Sequence, residues 1–194
     1  PEITRLAEAV PVIIPASPNN DFKLDLDALR NSITDKTKLL IINSPANPTG
    51  RVISRKEMEA IADILRSNIN IQVMSDEIYE FLISDSETHH SFAAIAPDLS
   101  DRIFTVNGFA KGWAMTGWRL GYLAGNSKVI KAAIALQSQS TSNVCSFAQR
   151  GALAAIEGSM DCVKEMAKSY NQRRELLTNQ LRNIQGISLV TPTG

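Results

Sequence analysis

The chain is poor in the residues that would mark it for the cell exterior or for a membrane. Only two of its 194 residues are cysteines, Cys145 and Cys162, and no metal-ligand spacing relates them, which excludes a disulfide-built scaffold and fits two reduced thiols. Histidine is as scarce: His89 and His90 stand side by side in a polar stretch, with no second ligand cluster near them to make a metal site. No apolar run approaches the roughly 18 residues that a membrane span needs, and Pro1-Glu2-Ile3 is no targeting peptide. Twenty basic residues balance twenty acidic ones, so there is no basic surplus for nucleic acid or an anionic membrane. A cytoplasmic globular protein acting on a small neutral or zwitterionic substrate is the simplest reading.

What is present is an alternation of strands and helices. Short runs rich in β-branched residues, Val10 to Ile14, Leu39 to Ile42, Ile69 to Met74, Ile103 to Val106, Leu120 to Ala124 and Ile187 to Val190, read as strands. Several are almost continuously apolar, as strands covered on both faces are. Ser54 and Glu57 form an S-x-x-E capping box, and Met58, Ile61, Ala62 and Leu65 follow at helical spacing, which predicts a helix packed on the sheet. Further helices are expected over about Lys128 to Gln137, Ser146 to Glu157 and Met160 to Arg182. The last carries Met166, Tyr170, Leu177 and Leu181 on a polar background and reads as a bridge from the core to a part outside this chain. The fold class that follows is α/β, a mostly parallel central sheet flanked by helices.

In such sheets ligands bind beyond the carboxyl ends of the strands. Three strands deliver polar tails there: Asn43 to Gly50 (NSPANPTG), Ser75 to Glu80 (SDEIYE) and Asn107 to Lys111 (NGFAK). Asp76 at the end of an apolar strand is a costly place for a carboxylate unless a cation meets it. As alternatives, Asp76 is a helix cap, Asn47 a turn residue, Tyr79 a core aromatic, Lys111 a solvated lysine and Arg119 a surface ion-pair partner. Trp113 and Trp118 read as packing residues.

Taken in order, Asn47-Pro48-Thr49-Gly50, Ser75 to Glu80, and Lys111 followed by Met115 to Tyr122 (MTGWRLGY) resemble the class I aminotransferases of fold type I, the aspartate aminotransferase group. Gln137 to Asn143 (QSQSTSN) is similar to a bacterial subgroup that includes aspartate and prephenate aminotransferases. The resemblance implies a pyridoxal 5'-phosphate (PLP) cofactor held as an imine by Lys111, whose amine then moves the α-proton. It implies Asp76 at the pyridinium nitrogen, Tyr79 and Asn47 at the phenolic oxygen, Asn47 also at the substrate carboxylate, and Arg119 at the phosphate. It implies amino-acid and 2-oxo-acid substrates, a homodimer, and a cis bond before Pro48. Gly108 and Ala110 stand where some members carry hydroxyls for the phosphate, which leaves more of that task to Arg119.

The resemblance also divides the chain into most of a PLP-binding domain (1–158), a connecting helix (159–186) and the beginning of a small domain (187–194). The phosphate-cradling turn, the aromatic that stacks on the cofactor and the arginine for the substrate carboxylate have no match here, so a segment of a longer protein is expected, one that transaminates little by itself. β-Lyases and aminocyclopropane-carboxylate synthases share much of this pattern, and some transcription regulators carry a PLP-sensing domain of the same kind.

Overall fold

The computed structural model describes residues 1–194. In chain order the elements are α1 (Glu2–Leu6), α2 (Leu26–Ser32), β1 (Leu39–Asn43), α3 (Arg55–Arg66), β2 (Gln72–Asp76), α4 (Phe92–Ile95), β3 (Ile103–Gly108), β4 (Gly121–Ala124), α5 (Ser127–Ser140), α6 (Ser146–Glu157) and α7 (Asp161–Arg182). The four strands lie in the order β1-β2-β3-β4. The first three are parallel, with Asn43 opposite Asp76 and Asp76 opposite Val106. Their carboxyl ends therefore share one edge. The fourth runs antiparallel, Gly108 facing Gly121, so the chain that leaves β3 at this edge returns to it.

Helix α3 forms where the capping box places it. Ser54 accepts from the Glu57 N–H, and the Glu57 carboxylate accepts from the Ser54 N–H, which satisfies two donors that a helix start leaves free. Its apolar stripe, Met58, Ile61, Ala62 and Leu65, is fully buried and meets Leu29, Ile42, Val73, Phe92 and Ile103 in one cluster. Truncating a residue so placed, Ile61 for example, costs about 2–5 kcal/mol. Arg102 fastens the far end of α3, donating to the carbonyls of Leu65, Asn68 and Ile71.

Two expected strands do not form. Residues Val10 to Ile14 are irregular: Pro11 and Pro15 remove ladder donors, and only Ile14 packs against the core. Residues Ile187 to Val190 are also unpaired; instead Thr193 and Gly194 donate to the Gly50 carbonyl at 2.9 and 2.7 Å. The strand expected from Ile69 starts at Gln72, because Ile69 and Asn70 lie in the turn closed by Ile71 N–H on the Asn68 carbonyl.

Helix α7 turns a largely polar face inward. Tyr170 and Leu177 are more than half exposed, while Val163 and Thr178 are buried and Asn171 and Arg174 lie between them on the same face. That face is polar because it meets a loop rather than the core: Asn171 donates to the Ile83 carbonyl and to Asp85.

Candidate active site

The three polar tails converge at the carboxyl edge of the sheet. Beyond β1 the chain makes a tight excursion, with the Ser44-Pro45 and Asn47-Pro48 bonds both cis; the second agrees with expectation. The turn closes through Gly50, whose N–H donates to the Ala46 carbonyl. Gly50 has φ of 64°, and a Cβ there would lie 2.4 Å from that of Pro192, so glycine is required on both counts.

Asn43, Asn47, Asp76 and Tyr79 form one hydrogen-bonded set. Asn47 donates its backbone N–H to the Asn43 side chain at 2.9 Å and its own amide to the Tyr79 hydroxyl at 3.0 Å. Asn43 also donates to the Asp76 carbonyl at 3.1 Å. The Asp76 side chain accepts from the Ile78 N–H at 3.2 Å and has no cationic partner in the chain. Asn47 thus reaches beyond its own turn, and the Tyr79 hydroxyl is engaged by it.

Lys111 sits in the loop that joins β3 to β4. Trp113 anchors this loop, its ring edge-on to Phe81 at 5.1 Å and tilted against Phe109 at 5.2 Å. Gly112 lies against Phe81, where a Cβ would stand 2.6 Å from the ring. The Lys111 amine makes no hydrogen bond or ion pair, and lies 5.5 Å from the centre of the Tyr79 ring. Arg119 has a left-handed backbone, φ 54°. Its exposed guanidinium donates to the Thr116 carbonyl and makes no ion pair within the chain. Trp118 is half exposed, yet its ring presses on Gly151 of α6, so both tryptophans pack as expected.

Sequence reasoning missed a second polar cluster behind the site. Glu77 is buried, 3% exposed, and accepts from Ser75, Ser91, the Phe92 N–H and His89. His89, in the polar stretch, is thus a largely buried partner of Glu77. Burial pushes the Glu77 carboxyl up, but the bonds from His89, Ser75, Phe92 and Ser91 outweigh it and hold the group below its ordinary value. Glu80 is held above its ordinary value: burial and the nearby Glu77 outweigh its bond from Asn107. Burial, with Glu80 and Glu77 close by, also raises the Tyr122 hydroxyl. The one hint in the sequence was a second acid following Asp76 directly.

A cleft of about 340 Å³ opens beside Asn47 and Tyr79, with Tyr170, Asn171 and Arg174 of α7 on its other wall. The Arg174 Nη1 is buried without a hydrogen-bond partner. No helix is long and apolar enough to cross a membrane.

Known proteins match this arrangement over its full extent. The chain is 46% identical over 194 residues to a probable aspartate/prephenate aminotransferase of Rickettsia prowazekii, covering all of this chain and 49% of that protein. It is 46% identical over 197 residues to a bifunctional aspartate aminotransferase and glutamate/aspartate-prephenate aminotransferase of Petunia hybrida, covering 41% of it. The crystal structure of the aspartate aminotransferase from Rhizobium meliloti superposes with a TM-score of 0.96 at 34% identity, over all of this chain and 48% of that one. The Thermus thermophilus aspartate aminotransferase with maleate gives 0.90 at 36% identity, over all of this chain and 50% of that one. The chain thus spans about half the length of the relatives it matches. The family model for aminotransferase class I and II matches residues 1–194, and the chain belongs to that family.

Proposed function

We propose that this chain carries most of the PLP-binding part of an aminotransferase that moves an amino group between an L-amino acid, aspartate or another acidic one, and a 2-oxo acid. One observation carries the reading: at a single sheet edge, a carboxylate without a cation (Asp76) and an amine without a partner (Lys111) flank the hydrogen-bonded pair Asn47 and Tyr79. These groups fit PLP, whose ring nitrogen, aldehyde and phenolic oxygen call for an anion, an amine and hydrogen-bond donors. The acidic substrate is supported by similarity to aspartate aminotransferases, one of them in a structure with maleate, a dicarboxylate.

When bound, PLP supplies an electron sink for the pair left behind as the substrate α-proton departs. Asp76 would face the ring nitrogen, where its carboxylate favours the positive charge that deepens that sink. Tyr79 accepts from Asn47, so its own O–H is free to donate to the phenolic oxygen. Lys111 would hold the cofactor through its amine, and the same amine, when free, would serve as the base that takes the substrate α-proton and the acid that gives it back. Arg119 presents a planar fork that suits a phosphate dianion, and the Asn47 amide orients the substrate carboxylate.

On this reading residues 1–158 belong to the cofactor domain, 159–186 form the connecting helix and 187–194 begin a small domain. The enzyme is a cytoplasmic homodimer. The test is borohydride reduction of the full-length polypeptide with PLP, followed by peptide mapping. Label is expected on Lys111; label elsewhere, or none, rejects the proposal.

A further inference from the structure

Asn43 has no part in the cofactor contacts described so far, yet it joins two of the residues that make them. Its amide oxygen accepts the Asn47 N–H at 2.9 Å, and that N–H has no other acceptor in the chain. Its amide nitrogen donates to the Asp76 carbonyl at 3.1 Å. This second bond is not needed to satisfy the oxygen, which already accepts the Ser44 N–H at 3.1 Å just past the end of β1. A strand-end asparagine that merely fills a ladder vacancy would not bond to an occupied carbonyl on one side and to a turn four residues ahead on the other.

We infer that Asn43 is a positioning residue for the cofactor site, fixing the Asn47 turn to the end of β2 so that Asn47, Tyr79 and Asp76 keep one geometry. The inference rests on the proposed function, since it assigns Asn43 a task only if those three residues face PLP. The chain of bonds is continuous: Asp76 carbonyl to Asn43, Asn43 to the Asn47 backbone, Asn47 amide to the Tyr79 hydroxyl. Asn43 also stands opposite Asp76 in the parallel register, which sets the reach at one short side chain. Asparagine is the residue that meets this requirement. Aspartate accepts but cannot donate, and would set a second carboxylate beside Asp76. Serine is too short to span both groups, and glutamine carries one methylene too many.

The experiment uses the full-length holoenzyme. Asn43→Ala is expected to weaken PLP binding roughly tenfold, the scale of losing one or two hydrogen bonds. It should also displace the pH midpoint of the bound cofactor's absorption band, because the donors to the phenolic oxygen are no longer held. A purely structural role would lower the thermal midpoint and leave that midpoint in place. Should Asn43→Ala fail to fold, Asn43→Asp, which keeps size and acceptor, is expected to show the same two changes. In combination with Asn47→Ala, the loss in PLP affinity should be smaller than the product of the two single losses, since Asn43 acts in part by placing the Asn47 amide that the second substitution removes. Parental affinity and absorption titration in the Asn43 variants, or a full product in the double variant, overturns the inference while leaving the proposed function intact. Absence of label on Lys111 in the parent enzyme is read before any variant and overturns both.

Discussion

The two sides of the candidate site are built in opposite ways. On the β1 and β2 side, Asn43, Asn47, Asp76 and Tyr79 are linked by direct hydrogen bonds, and Glu77 behind them collects four more. On the β3 to β4 side, Lys111 has no polar partner and Arg119 has one carbonyl. Two residues of that loop, Ala114 and Arg119, hold left-handed backbones, a conformation that costs a non-glycine residue about 1–2 kcal/mol. The first side is organised by the chain itself. The second presents two basic side chains without an acidic partner, one of them, Arg119, on a left-handed backbone, a setting that an anionic ligand would stabilise.

Substitutions on each side sharpen this contrast. Arg119→Lys keeps the charge and loses the fork, so PLP affinity in the full-length enzyme should fall about ten- to hundredfold, the scale of one charge-assisted bond. The thermal midpoint of the apo-protein should not move; a drop comparable to a core mutation would show that Arg119 belongs to the organised side. Next in size, Glu77→Gln turns an amide N–H toward groups that already donate. This should cost about 1–3 kcal/mol, several degrees by thermal denaturation.

The same variant tests a pH dependence. The carboxyl of Glu77 ionises more readily folded than unfolded, so its contribution is complete above the ordinary carboxyl range and is lost as pH falls through the lower folded value. Parent and Glu77→Gln stabilities should therefore converge on acidification; a constant gap refutes the assignment. The smallest effect belongs to Ala114→Gly, which removes left-handed strain but adds freedom to the unfolded chain. A net gain within about 1 kcal/mol is expected, measurable in denaturant, and a loss would mean that the alanine methyl packs against something essential.

The organised side was only partly legible in the sequence. The capping box, the stripe of α3 and the order of the three tails are local patterns, and all appear where expected. Periodicity failed where a strand needs a neighbour: the prolines at 11 and 15 could have been weighed against Val10 to Ile14, whereas nothing local says that Ile187 to Val190 lacks a pairing edge. Asn43 and Glu77 passed as ordinary tail residues because their importance lies in partners 33 and 14 residues away. His89 gave no sign of its partner for the same reason, that partner being a buried acid brought near by folding. The left-handed backbone at Arg119 leaves no mark in the residue type, since arginine does not favour it.

The reversal of β4 bears on how little chain entropy the site requires. Because Gly108 and Gly121 are paired, with room for no side chain between them (a Cβ at Gly108 would lie 2.8 Å from the Gly121 Cα), the loop bearing Lys111 and Arg119 is closed at its base by the sheet. A parallel β4 would need a crossover of a dozen or more residues and would deliver Arg119 to the opposite end of the sheet. As a closed loop, the segment keeps both cations near one point at the modest entropy of a short ring, whatever its interior conformation. Ordering that interior is then a local event, uncoupled from the pairing that keeps the two charges together.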